Sequence, residues 1–376
     1  MKISTLQENL KQGLFVVGHI AGRNINLPIL NNVMIEARGG NIKLITTNLE
    51  IGVTCLVRGK IEEEGVFTVD SKIVSDYISL LPNKRVDLEK KENENSLVVE
   101  AENYKTKIMG QSAEEFPLIP NVDKKIFYSI GVDDFKGALS RVVFAVSTNE
   151  TRLELSGVLF NFSPGKLTLA ATDSYRLAEK EIEIKTNGGE EKKAIVPART
   201  IQELVRILSG AYEEDGGGER EVKIYLSDNQ ILFTMGHVDL VSRLIEGQYP
   251  DYKQIVPQNS KTNVAANRAE LTRAVKASAL FSKTGINDIN LDFPRGKNQL
   301  VASSSSGQAG ENITKVEARV AGEDNGVVVN YRYLLDGLNN IEDENVKMEI
   351  IDSNTPCILK PEKEKGYLYI IMPIKQ

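Results

Sequence analysis

Apolar and polar positions alternate on both sides of a glycine-bearing turn at three places along the chain. These are LNNVMIEARGGNIKLITTN at 30–48, LSGVLFNFSPGKLTLAATD at 155–173 and INDINLDFPRGKNQLVASS at 286–304. A period of two marks a strand with one buried face, so each segment predicts a β-hairpin. The three align without a gap, at offsets of 125 and 131 residues read from Leu30, Leu155 and Ile286. Val33, Val158 and Ile289 coincide, as do Gly40, Gly165 and Gly296, then Leu44, Leu169 and Leu300, then Thr47, Thr172 and Ser303.

The elements around the hairpins repeat as well. Ahead of each lies a run with helical spacing: Leu6, Leu10, Leu14 and Val17; Phe135, Leu139, Val142, Val143 and Val146; Leu271, Val275 and Ala279. Ser4 with Gln7 and Asn267 with Glu270 have capping-box spacing, and Asp133 and Asp134 precede Phe135. After each hairpin a strand ending at Val69, Val196 or Val329 enters a second helix, SKIVSDYISLL, ARTIQELVRIL or YRYLLDGLNNI. Such order repeated three times predicts an α+β chain of three equivalent domains, each with two helices packed on antiparallel sheets.

The proline-bearing segments EEFPLIP at 114–120 and GQYPDYKQIVP at 247–257 interrupt regular structure and set the expected domains at 1–124, 125–253 and 254–376. The acidic, glycine-rich EEDGGGERE at 213–221 reads as a surface loop within the second. Three large repeats suggest a curved assembly that a symmetric partner closes.

Composition adds limits rather than chemistry. The 376 residues are 41% hydrophobic and 26% charged, which is the make-up of a folded protein. No apolar run has the length of a signal peptide or a membrane helix, so a cytoplasmic chain with no membrane partner is expected. Cys55 and Cys357 are the only cysteines, which excludes a disulfide framework and leaves two inert core thiols as the simplest reading. The net charge of −6 argues against tight nucleic-acid binding, yet an acidic exterior with a basic inner surface gives the same sum.

Catalytic material is scarce. SPGKLTLA is a hairpin turn rather than a phosphate loop, and His19 and His237 stand far apart in apolar contexts, where ordinary helix or strand roles are expected. Glu114 with Glu115 and Glu213 with Glu214 lie in expected loops and read as solvated surface. No catalytic residue, cofactor or metal site is predicted, and the distinctive loops carry Ser, Tyr, Arg and Leu, which favours binding over chemistry.

The phrases LPILNN at 27, TNLEIG at 47, ATDSYRLA at 171, YPDY at 249 and the ending IIMPIKQ stand in an order similar to that of the β subunits of bacterial DNA polymerase III, the sliding clamps. The resemblance covers the whole chain, and ATDSYRLA and MPIK are its most specific pieces because the repeat does not explain them. It implies a head-to-tail homodimer in which each chain forms half of a ring around duplex DNA, with helices lining the hole. It also implies a non-catalytic processivity role and, as partners, the polymerase catalytic subunit, a clamp loader and other proteins carrying a clamp-binding peptide. Weak, exchangeable phosphate contacts suit sliding, and base-specific readout opposes it.

By position, the family's peptide-binding groove maps onto Leu155, Thr172, Ser174, Tyr175, Arg176, Leu177, Pro250, Ile255, Pro356, Ile370, Met372, Pro373 and Ile374. Leu155 is equally readable as plain core, because Leu30 and Ile286 occupy the same place. Tyr175 stands where the family commonly has His, and Lys375 and Gln376 stand where it often has Arg and a hydrophobic residue. Candidate DNA-facing residues lie on polar helix faces or adjoining loops: Lys11, Arg23, Lys72, Arg141, Arg152, Arg199, Arg206, Arg273 and Lys276. Each alone is equally a solubilising cation; their recurrence in all three copies groups them. Arg152 and Arg199 also match basic positions of the family, and Arg23 is one residue from its counterpart. For the dimer contact the resemblance points to Ile108, Leu280 and Phe281, with intradomain core as the alternative. A repeated scaffold that gathers protein partners without DNA, and a nuclease, remain the competing readings.

Overall fold

All three alternating segments fold as antiparallel hairpins in the computed structural model, which describes residues 1–22, 26–92, 94–149, 151–188, 190–210, 220–307 and 309–375. Ile35 pairs with Leu44 and Phe160 with Leu169, so the first two copies share one register. The third is displaced by two residues, with Leu291 opposite Ala302. An even displacement keeps every side chain on its own face, so the core pattern survives it. Gly40, Gly165 and Gly296 have φ of +77°, +72° and +74°, the left-handed conformation these turns require and glycine adopts at no steric cost.

Six α-helices occur among the described residues: α1 Gln7–Gly18, α2 Ser71–Leu80, α3 Val132–Val143, α4 Ala198–Gly210, α5 Arg268–Ala279 and α6 Tyr331–Asn339. Their starts refine the sequence reading. Asn267 caps α5, accepting from the Glu270 amide at 3.1 Å, as expected. Ser4 does not cap α1: it lies inside the strand Lys2–Leu6, where its hydroxyl donates to Asp87, and the cap position falls to Leu6. Asp133 and Asp134 occupy the first turn of α3, favourably for the helix dipole, and Val146 lies beyond the helix end. His19 follows α1 as its C-cap and His237 sits in a turn, so neither is within a helix or strand. Glu114 and Glu115 are exposed in a short 3-10 helix. Arg23, Glu213, Glu214 and most of the glycine-rich stretch lie outside the described residues.

Contacts divide the chain into two compact units. One comprises Met1–Lys136, Ile184–Glu190 and Arg199–Leu244, and the other Gly137–Glu183, Glu191–Ala198 and Ile245–Gln376. The first holds a 14-stranded sheet and the second a 12-stranded sheet. Each sheet crosses a border between sequence copies. In the first unit Ile51–Cys55 of copy one pair with Val238–Ser242 of copy two. In the second, Arg176–Lys180 of copy two pair with Tyr367–Ile371 of copy three.

Within the first unit α1 packs on α2 and over the strands Asn41–Thr47 and Ile51–Val57. Leu44, Cys55 and Val57 crowd against Gly13 on that face, while Ile45 faces the other way into a cluster with Ile29, Leu30 and Phe116. Within the second, α5 packs on α6 and over Gln299–Ser306 and Gly310–Gly322. The helix α6 lies so close to the strand Tyr367–Ile371 that a Cβ on Gly337 would stand 2.4 Å from the buried Tyr369 ring. Gly337→Val is therefore expected to destabilise the chain by about 1–3 kcal/mol, read from urea denaturation; an unchanged midpoint would mean that α6 stands farther from the strand.

Candidate functional site

The strand Lys166–Thr172 reverses into Arg176–Glu183 through a turn built from its own side chains. Thr172 Oγ1 donates to the Arg176 carbonyl at 2.6 Å and accepts from the Ser174 amide at 3.1 Å. Asp173 Oδ1 accepts from the amides of Tyr175 and Arg176 at 2.9 and 3.0 Å. Ser and Asp satisfy backbone groups at such turns, and Ser174 takes φ +78°. The turn throws Tyr175 outward, 63% exposed, with its ring stacked on Tyr333 at 6.4 Å.

Arg176 points the other way. Its guanidinium, 12% exposed, donates to the Phe144 carbonyl at 2.9 Å and to Asp173 at 3.1 Å, pairs with Asp336, and lies 4.8 Å from the Tyr333 ring and 5.5 Å from the Phe144 ring. Arg176, expected in the peptide groove, thus bonds within the chain and holds the turn that presents Tyr175.

Beside the turn, Leu177 stands opposite Ile370, and both are closed into a cluster with Leu159, Ala170, Ile195, Tyr252 and Ile358. The Met372 amide donates to the Tyr175 carbonyl at 2.8 Å, which fixes Met372 next to the turn, and the Ile374 amide donates to the Val328 carbonyl at 2.7 Å. Ser174 and Ile255 are exposed; Pro250, Pro356, Met372, Pro373 and Ile374 are half-buried; Leu155, Thr172, Leu177 and Ile370 are buried. The buried four can form a floor but not a rim.

Sequence reasoning missed two floor residues. Tyr249 and Tyr252 pack on this cluster, the Tyr249 hydroxyl donates to the Ala170 carbonyl at 3.4 Å, and the Tyr252 hydroxyl donates to Glu179. Burial pushes both phenols up from their ordinary pKa. The signal was present in YPDY, read as part of a linker and as a phrase of the family resemblance, with only Pro250 of it assigned to the groove.

The candidate DNA-facing residues separate into two groups. Lys11, Arg199 and Lys276 are exposed on α1, α4 and α5, and no hydrogen bond or ion pair among the described residues engages them. Lys72 pairs with Asp76 at 2.6 Å, Arg273 with Glu270 at 3.9 Å, and Arg152 with Glu154 at 3.1 Å while also donating to Ser174 Oγ at 3.0 Å. Such solvated pairs are worth ~0–1 kcal/mol and exchange readily for a phosphate.

Arg141 and Arg206, also expected to face DNA, are engaged within the chain. Arg141, 12% exposed, is held by Glu364 at 2.5 Å and Glu342 at 3.0 Å, and Lys180 joins Glu364. Burial opposes ionisation of Glu364, but hydrogen bonds from Arg141 and Lys180 outweigh it and hold the carboxyl below its ordinary pKa. Arg206 pairs with the buried Glu203, donates to the Phe15 and Val16 carbonyls at 3.1 and 2.7 Å and lies over the Phe15 ring at 5.0 Å. Glu203 also meets His19 Nδ1 at 2.6 Å. Both arginines tie elements together rather than offering free charge.

Of the expected dimer residues, Leu280 is 76% exposed, Phe281 is half-buried and Ile108 is buried. The exposed apolar residues on the strand of Ile108, Tyr104–Gln111, are Tyr104 and Met109. That strand pairs with Gly65–Asp70 only through Gly110 and Gln111, so Tyr104–Met109 present an open edge. The strand Gly310–Gly322 likewise pairs with Thr262–Asn267 only from Ala318 onward, leaving Gly310–Glu317 open on that side.

Among the described residues no group of three or more His, Cys, Asp or Glu is placed to hold a metal ion. Two polar cavities, one beside Glu270, Lys315 and Arg319 and one beside Glu8, Leu56 and Gly59, are lined by none of the candidate residues.

Family models for the DNA polymerase III beta subunit match in sequence order: the N-terminal domain at residues 1–120, the central domain at 129–251 and the C-terminal domain at 253–375. The chain belongs to this family of sliding clamps. The family is a processivity factor for DNA replication rather than a catalytic subunit. The Beta sliding clamp of Staphylococcus epidermidis is 28% identical over 358 residues, covering 93% of this chain and 92% of that one. A DNA polymerase III beta subunit structure from Eubacterium rectale superposes with a TM-score of 0.91 at 27% identity, covering 100% and 99% of the two chains. A sliding clamp from Pseudomonas aeruginosa bound to griselimycin gives 0.92 at 26% identity, with both chains fully covered. The expected α+β architecture of three clamp domains agrees with these matches. No helix among the described residues is long and apolar enough to cross a membrane.

In this clamp Arg176 is the residue whose removal disturbs the turn without touching the floor. Arg176→Ala should lower stability by about 1–3 kcal/mol, because it strands Asp173 and unstacks Tyr333, whereas Tyr175→Ala should leave stability within about 0.5 kcal/mol. Chemical denaturation of the two variants measures the difference, and equal midpoints would refute the anchoring role.

Proposed function

We propose that two copies of this chain join head to tail into a ring that encircles duplex DNA, slides on it, and tethers the replicative polymerase through the apolar groove beside Tyr175. One observation carries the proposal. Each border between copies is made by the strand that follows the repeated hairpin pairing with the last strand of the next copy: Ile51–Cys55 with Val238–Ser242, then Arg176–Lys180 with Tyr367–Ile371. The counterpart in copy three, Gly310–Gly322, has no following copy in the chain, and the last strand of copy one, Tyr104–Gln111, has no preceding one. Both keep an open edge, and open edges seek partners. Pairing them between two chains repeats the same border twice more and closes a symmetric dimer.

Side chains at the two edges support the match. Tyr104 and Met109, with Ile73 and Leu80 on α2, are exposed on one, and Leu280 and Ile313 on the other. Lys105 and Lys107 stand on the first edge, paired with Glu100 and Glu94, and Glu311, Lys315 and Glu317 stand on the second, so the apolar residues carry the match. The proposed domain borders remain 1–124, 125–253 and 254–376, near the limits of the three family matches.

DNA is met by the unengaged Lys11, Arg199 and Lys276 and by Lys72, Arg152 and Arg273, whose weak ion pairs exchange for phosphates as the ring moves. The peptide enters between Tyr175, Met372, Pro250, Ile255, Pro356, Pro373 and Ile374, over the floor of Leu155, Thr172, Leu177 and Ile370. Apolar anchors supply most of the affinity, and Met372 adapts to different ligands. The partners are the polymerase catalytic subunit, a clamp loader and other proteins bearing such a peptide, in the cytoplasm.

Retention should depend on topology: the protein loaded on nicked circular DNA is kept through gel filtration and lost once the circle is cut. Equal retention on both forms would refute encirclement and favour a scaffold. Leu280→Asp combined with Met109→Asp should weaken the dimer by about 30-fold or more, the size of losing one or two interfacial anchors. Sedimentation of the full chain by analytical ultracentrifugation reads this, and an unchanged dissociation constant would remove the edge assignment.

A further inference from the structure

The turn that presents Tyr175 has a twin in the first unit. Thr47 Oγ1 donates to the Ile51 carbonyl at 3.0 Å and accepts from the Leu49 amide at 3.1 Å. Asn48 Oδ1 accepts from the amides of Glu50 and Ile51 at 3.1 and 2.7 Å, and Leu49 has φ +76°. Residue for residue this is the Thr172–Arg176 turn. The neighbouring strand matches too: the Arg243 amide donates to the Glu50 carbonyl at 2.9 Å, as Met372 does to Tyr175 at 2.8 Å. Val241 stands opposite Gly52 as Ile370 stands opposite Leu177. The backbone of the groove is therefore built twice in each chain.

Three side-chain differences run against an apolar ligand at the first border, and Leu49 in the place of Ser174 is the one that does not. The rim residues are Glu50 and Arg243, both exposed, where the second border has Tyr175 and Met372. Covering either charge with an apolar anchor would strip its water without a replacement partner. The floor is Gly52, and the linker's own Ile119 packs on it, its Cδ1 2.8 Å from where a Cβ on Gly52 would stand. Ile119 also packs on the cluster of Ile29, Leu30, Ile45 and Phe116 and on that of Val122, Tyr225, Leu232 and Val241, so it is held in place. The third difference is the anchor: buried Ile51 replaces Arg176, so the guanidinium that ties the second turn to Asp336 and the Phe144 carbonyl has no counterpart at this position.

We propose that this first border is a closed counterpart of the peptide groove, and that Glu50, Arg243 and Ile119 limit each chain to one docked apolar peptide. The proposal rests on the groove reading above. Its consequence is that peptide-bearing partners compete for one place per chain rather than sitting side by side along it.

The test uses the full chain and a fluorescein-labelled peptide copying the C-terminal tail of the same organism's polymerase catalytic subunit, titrated by anisotropy and calorimetry. The parent should bind one peptide per chain. Tyr175→Ala with Met372→Ala should weaken binding by about 30-fold or more and leave no second class of site. Glu50→Tyr, Arg243→Met and Ile119→Ala together, in the otherwise parental chain, should raise the stoichiometry to two. Should that triple variant fail to fold, Glu50→Tyr with Arg243→Met carries the same test with a weaker second site. A residual site in the Tyr175→Ala/Met372→Ala chain that Glu50→Tyr/Arg243→Met alters would overturn the proposal, as would a folded gain-of-site variant that still binds one. A parental chain that binds no peptide, or binds it independently of Met372, is a different result and refutes the groove reading itself.

Discussion

Backbone pairing across the borders between copies is the constraint on which the other features depend. A strand at the end of a copy carries a row of amides and carbonyls that must find partners, and here they find them on the next copy rather than in water. Two consequences follow from that geometry. Each border brings a hairpin turn, a terminal strand and a proline-bearing linker to one place, where apolar side chains of the linker pack on the sheet. And a chain of three copies has two internal borders, while the strands that would extend the series, at Tyr104–Met109 and Gly310–Glu317, keep one side without a paired strand among the described residues.

The charged residues are deployed according to burial. Arg141, Arg176 and Arg206 have 12%, 12% and 22% of their side chains exposed, and each is matched to at least one carboxylate and to an aromatic ring. Guanidinium suits such sites because its planar fork bonds in several directions while its faces stack. Removing one partner leaves a charge without water, so these are fixed structural ties. Lys11, Arg199 and Lys276 are the opposite case, exposed and unengaged among the described residues. A net charge of −6 is compatible with contacts to DNA because a few such cations on helices suffice when linkage, rather than affinity, keeps a ring in place.

Much of this was legible in the chain because the repeat samples the same structural problem three times. The alternation around Gly40, Gly165 and Gly296 reported hairpins correctly, since a one-residue slip would have turned each apolar face to solvent. Helix starts were less legible: Ser4 has capping-box spacing to Gln7 yet is taken by a strand, where pairing with Asp87 and Arg85 supplies the hydroxyl's partners. The fates of Arg141 and Arg206 were not legible at all, because their carboxylates lie 223 residues away in one case and three in the other, and only the fold decides burial. Tyr249 and Tyr252 were visible but read as part of a linker; nothing local indicates that a linker will fold back over a sheet.

The equivalent hairpin turn meets a different end in each copy, and the side chains there say why. In copy two the turn at Thr172 ends in Tyr175, anchored by Arg176, and the border stays apolar. In copy one the same turn at Thr47 ends in Glu50, and Ile119 closes over Gly52. In copy three the turn does not form: Gln299–Ser306 continues as strand where the others reverse, and its partner runs on as the 13-residue strand Gly310–Gly322. Ser304, in the place of Asn48 and Asp173, donates its hydroxyl to the Ser278 carbonyl instead of bonding the next amides, so the hairpin extends and the outer half of Gly310–Gly322 pairs only with Gln299–Ser306 among the described residues. A single locus thus yields an exposed Tyr175 in copy two, a contact closed by Ile119 in copy one and an extended hairpin in copy three. Divergence at that locus changes what each copy exposes while the pairing that joins consecutive copies is left unchanged.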